Sequence, residues 1–522
     1  MAAITAPRPR TGHVAAAPRR VARLLAEPRR VLLAAAALAA LAACVDVLGD
    51  PDLFWHLRLG RWILDHGAVP HTELFSFTAQ GSPMTAHEWG SEAIFALLFQ
   101  AGGLLLLAVV MGLVAWSALV ALGLRARQRG AGLAAVAVAL LLGARAAEPV
   151  LGTRPQVFTI ALLCWSLLIA ERHLVRGGRL VWVLAPLMLV WANLHAGFVI
   201  GAGALALTVG LEGVRRWLGR TGAAPWRRIG GLAAVTASGA ALACLNPEGP
   251  GLFRYALATP MSERTKPIVE WQPPNFADAS NLGLLVLLVS FALLVALGGR
   301  LTLRDTGLAL LGFAAALTAV RNTSLAVALS LPAWTSLLQQ VLTRVSARRG
   351  VSGASMGAAL RRRPSLAALA LTVAVGGAAA GGVVARAAHD ASPGGVATIY
   401  PTCAAAALRG VDGVRVVAPY FVSGYLVGQL WPQGQLFLYG ESASLGTAVF
   451  ADYQRIYGGG GDALGVLAAR GASAVITGPG ALYDRLSASP QWVRMLDDRS
   501  GVSLYVAPAL AGRVAVPAQG CP

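Results

Sequence analysis

The chain has 522 residues, of which 56% are hydrophobic and 13% charged, with a mean hydropathy of +0.63. Those values exclude a soluble multidomain protein and point to a polytopic membrane protein, and the lack of period-2 alternation in the apolar runs excludes a membrane β-barrel. The net charge of +19 does not point to nucleic acid, because its arginines segregate by segment rather than forming one basic surface.

A basic leader to residue 30 carries seven Arg. Because a span needs about 20 apolar residues, about eleven are predicted, near 31–49, 104–124, 131–152, 155–170, 180–194, 196–214, 229–245, 282–299, 306–320, 323–343 and 365–385. Twenty-six Arg, in the leader and in the segments around 125–129, 172–179, 215–228, 300–304 and 344–363, fall on one side of this threading, whereas the intervening loops before residue 386 hold eight basic residues. The positive-inside rule makes the first side cytoplasmic. The N-terminus is then cytoplasmic, and the nearly neutral tail 386–522 is extracytoplasmic.

That tail is predicted to be a small α/β domain. Strands are expected at 414–419, 435–440, 472–479 and 501–508, and helices within 462–471 and 480–492. The "GGGG" at 458–461 lacks the Lys-Ser/Thr of a phosphate loop and reads as a turn. Cys403 and Cys521 flank the tail and can pair in an oxidising compartment; the other cysteines sit in apolar runs.

Polar residues gather in the outer loops. Loop 50–103 carries Asp50, Asp52, His56, His87 and Glu88, and later turns add Arg154, Asn193, His195, Lys266, Glu270 and Arg321. Trp55, Leu59, Trp62 and Ile63 recur at helical spacing, which predicts an amphipathic surface helix, and "EWGSEAIFALLFQ" (88–100) predicts a second. Carboxylates, imidazoles and guanidinium groups converging beside lipid suit a reaction on a lipid-anchored anion. Arg154, Arg321 or Lys266 can hold a phosphate; Asp52 or Asp50 can deprotonate a hydroxyl or bind a divalent cation such as Mg or Mn. Each also has a plainer reading. Asp50 and Asp52 suit a helix N-cap, Arg154 precedes Pro155 at a helix end, and Asn193 and His195 can simply tie two helices together. No His-x-x-x-His pair supports a metal at His56.

The stretches "DPDLFWHLRLGRWILDHGAVPHTELFSFT", "HEWGSE", "RPQVFT", "WANLHAGF" and "LNPEG" resemble a bacterial group of multispan proteins akin to the GT-C glycosyltransferases, which use polyprenyl-phosphate sugars. "SGYLVGQLWPQGQLFLYGE" extends the likeness into the tail. The resemblance implies a multi-pass protein of the bacterial cytoplasmic membrane that transfers a sugar to an envelope glycan, lipid or protein. It places the catalytic acid at Asp52 or Asp50, with Glu88 as a further candidate. His56, His87, Arg154, Asn193, His195, Lys266, Glu270 and Arg321 are then the substrate-binding candidates. The chain has Asp-Pro-Asp where the mannosyltransferases carry Asp-Glu, and it lacks the Trp-Trp-Asp of oligosaccharyltransferases. A lipid-linked-sugar transporter or a non-catalytic envelope scaffold are the rival readings.

Overall fold

The computed structural model describes residues 28–262, 265, 268–348, 377–378, 381–441, 444–458 and 460–516. Ten of the eleven expected spans are helical over most of their length: α1 Pro28–Cys44, α3 Trp89–Gln128, α4 Leu133–Ala147, α5 Gln156–Arg176, α6 Leu184–Leu194, α7 Phe198–Trp217, α8 Trp226–Leu242, α10 Leu282–Ala296, α11 Leu303–Thr318 and α12 Thr323–Arg348. Among the described residues, six helical stretches are long and apolar enough to cross a membrane. The segment 365–385 and the leader fall almost wholly outside the described residues.

The helix expected around Trp55 is α2, Leu53–His66, but Trp55, Leu59 and Ile63 are buried within the protein rather than lying on a free apolar face. The second expected helix is the front of α3, whose 40 residues would span about 60 Å at 1.5 Å per residue, twice a hydrocarbon core. The backbone leaves helical geometry at Gly102 and Gly103, so 89–101 is set off from the span behind it. A short helix α9, Gly251–Ala258, follows α8. Charged residues in the spans cluster at helix ends, as in α5 (Glu171, Arg172, Arg176) and α7 (Glu212, Arg215, Arg216). That pattern keeps the apolar middles free of charge.

The tail forms a five-stranded sheet ordered β2-β1-β3-β5-β4. Its strands are β1 Val414–Val417, β2 Gly434–Leu436, β3 Ala474–Thr477, β4 Val493–Asp497 and β5 Ser503–Val506. Four match expectation; β4 was not anticipated, and its mixed burial explains the weak periodic signal. Cys403 is disulfide-bonded, and Cys521 lies outside the described residues.

The tail grips the first loop rather than standing apart. Loop residue Ser76 bridges in parallel to Leu436 of the edge strand β2, with Phe77 N–H donating to Leu436 O and Leu436 N–H to Phe75 O, both at 3.0 Å. Phe54 of α2 packs edge-on against Tyr400 and Tyr425 with ring centroids 5.1 and 4.9 Å apart. Arg58 donates to Trp431 O and lies over that indole, whose Nε1–H reaches Leu74 O at 3.1 Å.

Candidate functional site

Two ionisable clusters meet beside α2. The first is built on the turn after α1. Asp50 is buried, and its Oδ1 accepts the Asp52 backbone N–H at 3.1 Å. Asp52 precedes α2 but its side chain makes no capping bond, so the N-cap explanation fails for that carboxylate. Instead it lies by the Trp55 indole and against Gly440, where an added methyl group would overlap both side chains. Only glycine lets the tail's backbone come this close. Burial, and after it the charge of Asp50, push the Asp52 carboxyl up to about 7. Burial also raises Asp50, against the pull of Arg154.

Arg154 and Arg321 complete this cluster. Arg154 Nη1 pairs with Glu270 Oε2 at 3.0 Å, and its Nε stands 3.7 Å from Asp50 Oδ1. That Nε is buried and has no hydrogen-bond acceptor. Arg321 Nη1 pairs with Glu270 Oε1 at 3.1 Å, while its guanidinium stacks 4.0 Å over the Trp271 ring and donates to Gln156 Oε1. One carboxylate thus bridges two guanidinium groups, which hold Glu270 below the usual range although burial raises it. The arrangement accepts a bridging oxyanion.

The second cluster surrounds Glu88. His195 Nε2 lies 3.2 Å, His87 Nε2 3.3 Å and His56 Nε2 3.7 Å from its carboxylate. The Gly197 N–H donates to His195 Nδ1 at 2.8 Å, so His195 carries its proton on Nε2 and donates to Glu88. Thr159 Oγ1, which accepts the Trp191 indole N–H, sits 2.8 Å from the same Nδ1. Burial keeps His195 low and therefore neutral. Burial would also lower His56, but its hydrogen bond to Glu92 and the charges of Glu88 and Glu92 raise it to about 9. His87 is likewise lifted to about 9 by Glu88 against burial. Burial would raise Glu88, yet His87 and His195 hold it well below the usual carboxylate range.

Glu92 has no place among the sequence candidates, yet His56 Nδ1 donates to its Oε1 at 3.0 Å. The cause is a close approach: a Cβ on Gly60 would collide with the Glu92 carbonyl, so α2 and α3 touch one turn beyond His56. Glu88 and Glu92 share one face of α3 at i, i+4 spacing. His56, Glu88 and Glu92 offer ligand atoms all within 4.8 Å of one another, and Glu92 Oε2 is buried without a partner. This mixed nitrogen and oxygen set fits a divalent cation, and the imidazole suits Mn or Zn better than Mg.

The tail adds residues that sequence reasoning missed. Burial first, and then the charges of Asp52, Glu270 and Glu441, push the Tyr420 phenol well above its usual range. Glu441 is buried and near enough to act on His87 and on Tyr255, whose ring is 4.6 Å from that of His87. The "YGE" of the resembling tail segment was the available signal, but nothing local showed that it faces loop 50–88. Asn193 is engaged otherwise: its Oδ1 accepts from Trp89 Nε1 and its Nδ2 donates to Leu189 O and Leu245 O. It ties α6 to its neighbours, the plainer of its two readings. Lys266 lies outside the described residues.

No protein-family profile matches the chain, and no curated protein matches it significantly. Solved structures do. The oligosaccharyltransferase AglB from Archaeoglobus fulgidus, in complex with an inhibitory peptide and a dolichol-phosphate, aligns with a TM-score of 0.56 and 12% identity, over 86% of this chain and 69% of its own. The apo form of the Archaeoglobus fulgidus oligosaccharyltransferase gives the same score and coverage at 13% identity. ArnT from Cupriavidus metallidurans in the apo state aligns over 93% of this chain and 98% of its own, with a TM-score of 0.50 and 14% identity. Both kinds of protein are GT-C glycosyltransferases, and this chain has the GT-C fold: a helical membrane region with a small C-terminal sheet.

Proposed function

We propose that the chain is an inverting membrane glycosyltransferase. It takes a sugar from a polyprenyl-phosphate donor and delivers it to a hydroxyl of a cell-envelope glycan, lipid or protein on the extracytoplasmic side of the bacterial cytoplasmic membrane. In this reading residues 31–385 form the catalytic membrane domain and 386–522 an outer domain that closes over it.

The observation that carries the proposal is Asp52: a carboxylate that caps nothing, held by Gly440 and Trp55 beside a pair of arginines that already bridge an oxyanion. Asp52 takes the acceptor's hydroxyl proton as its oxygen bonds to the anomeric carbon. The anomeric carbon–phosphate oxygen bond breaks, and the polyprenyl phosphate leaves with both electrons. Arg154 and Arg321, now paired to Glu270, neutralise the leaving charge. Asp50 keeps Arg154 at this position, while Tyr420 and Glu441 flank the sugar. His56, Glu88 and Glu92 are the residues that would hold a divalent cation, which supplies added positive charge to a phosphate when bound. Without one, the same three groups close on one another as an imidazolium between two carboxylates.

A transporter would need polar groups at mid-depth, and the charges of the described spans lie at helix ends. The test compares envelope glycans of cells expressing the wild type, Asp52→Asn or Asp50→Asn. Loss of one glycan species in the Asp52→Asn strain is expected. Unchanged glycans in both, at wild-type protein levels, would overturn the enzyme reading.

A further inference from the structure

At the opposite end of the bundle, Arg125 and Arg129 of α3, Glu171 of α5, Glu212 and Arg215 of α7 and Arg304 and Asp305 of α11 form a buried ion-pair network. Its guanidinium groups outnumber its carboxylates. Arg125 Nη1 and Arg304 Nε are buried without hydrogen-bond partners. Beside this network lies a cavity of about 640 Å³ lined by Arg129, Arg300, Arg344, Ser336, Gln339, Gln340 and Thr343, with Gly298. Among the described residues, no carboxylate lines it.

Two of these cations are held in place by their surroundings. Arg344 donates to the Leu297 and Gly298 carbonyls at 3.0 and 2.8 Å, closing the C-terminus of α10. Gln340 clamps the Arg300 backbone at both its N–H and its carbonyl, at 2.9 and 3.1 Å. Helix capping accounts for Arg344 alone. It leaves unexplained Arg300, whose side chain makes no ion pair among the described residues, and a hollow that collects its guanidinium with those of Arg344 and of Arg129, the last already paired with Glu171 and Asp305.

Depth and surroundings indicate what fills it. Arg344 lies about 31 Å along α12 from Thr323 at 1.5 Å per residue, close to a hydrocarbon thickness, so the cavity sits at headgroup level. Leu297, Leu342 and Val345, each next in sequence to a lining residue, are exposed apolar side chains. A cationic hollow at headgroup depth flanked by apolar surface matches a phosphate with acyl chains attached. We propose that this cavity binds the phosphate of an anionic phospholipid, at a site separate from the carboxylate cluster.

The test uses the full chain in a zwitterionic detergent, with thermal unfolding and native mass spectrometry read in parallel. Phosphatidylglycerol is expected to raise the unfolding temperature and to stay bound in the mass spectrum, whereas phosphatidylcholine and inorganic phosphate do neither. Arg300→Gln should weaken phosphatidylglycerol retention about fivefold, the contribution of one arginine near a membrane surface, and Arg300→Gln with Arg344→Gln should weaken it further. Arg300 is exposed and not part of the ion-pair network, so its variant stays folded even if the double variant does not. Equal effects of phosphatidylcholine would overturn the proposal, as would full retention in Arg300→Gln. An equal shift from inorganic phosphate would reassign the cavity to a free anion and overturn the lipid reading.

Discussion

The two ends of the helical bundle both bury ionisable groups, and they are wired differently. At the arginine end, Glu171, Glu212 and Asp305 each face at least one guanidinium group, and Glu171 faces three. At the carboxylate end, Asp50, Glu88 and Glu270 have cationic or imidazole partners, but Asp52 makes no ion pair among the described residues. It touches a glycine backbone and an indole, and, after burial, the charge of Asp50 raises its carboxyl more than that of His56 lowers it. A matched carboxylate is held by its partners and serves the scaffold, whereas an unmatched one keeps its proton affinity available for chemistry.

That contrast is broken most directly by removing one carboxylate from each end. Asp52→Asn is expected to reduce sugar transfer on the order of 10²- to 10⁴-fold, the usual contribution of a positioned base, without lowering the unfolding temperature, because no cap is lost and the destabilising buried charge goes with the carboxylate. Glu171→Gln should do the reverse. It leaves Arg125, Arg129 and Arg304 short of a counter-charge, and breaking a buried pair costs about 3–5 kcal/mol. Unfolding of the two variants beside transfer assays checks both. If Asp52→Asn unfolds early and Glu171→Gln does not, the distinction between the two ends is mistaken.

Much of this division was legible in the chain. The arginine clusters and apolar runs marked the helices, and the spacing of Trp55, Leu59, Trp62 and Ile63 marked α2 as a helix, though not that the tail covers it. The residues of loop 50–88 gathered as their types suggested, since polar groups next to lipid must find one another. Three things were hidden. Glu92 reads as one acid on an amphipathic helix until Gly60 brings α2 against it. Tyr420 and Glu441 arrive from a tail whose docking depends on Ser76 pairing with β2, a contact across 360 residues of sequence. The carboxylates at the arginine end were lost in segments read for net positive charge, which conceals acids whose partners are the same arginines.

A smaller perturbation sharpens the comparison without touching an ionisable group. Gly440→Ala places a methyl group where the Asp52 carboxylate and the Trp55 indole now lie. The tail must shift or Asp52 must turn away, and a displacement of about 1 Å at a reacting group can cost 10²-fold in rate. Transfer should therefore fall by about 10- to 100-fold, while a matched Gly→Ala change at Gly446, which has open space around it, leaves the rate unaltered. Equal rates for both variants would mean that the tail does not set the position of Asp52.

The finest test is the pH dependence, because Asp52 must be ionised to accept a proton. With its carboxyl at about 7, transfer should climb through neutrality and stand near a tenth of its plateau at about pH 6, one unit below. Asp50→Asn removes the charge that ranks second to burial among the causes, so the rising limb should move to lower pH. Stability runs the other way. A carboxyl raised by folding stabilises the protein fully below its unfolded value of about 4, and that contribution is lost as pH rises through the folded value near 7. The ionised form, which the proposed base needs, is thus the less stable one, because burial and the charge of Asp50 outweigh the pull of His56. Profiles of kcat/KM and of unfolding temperature against pH, for the wild type and Asp50→Asn, would show opposed slopes between about pH 4 and 7. A limb that stays put in Asp50→Asn would assign the titration to a group other than Asp52.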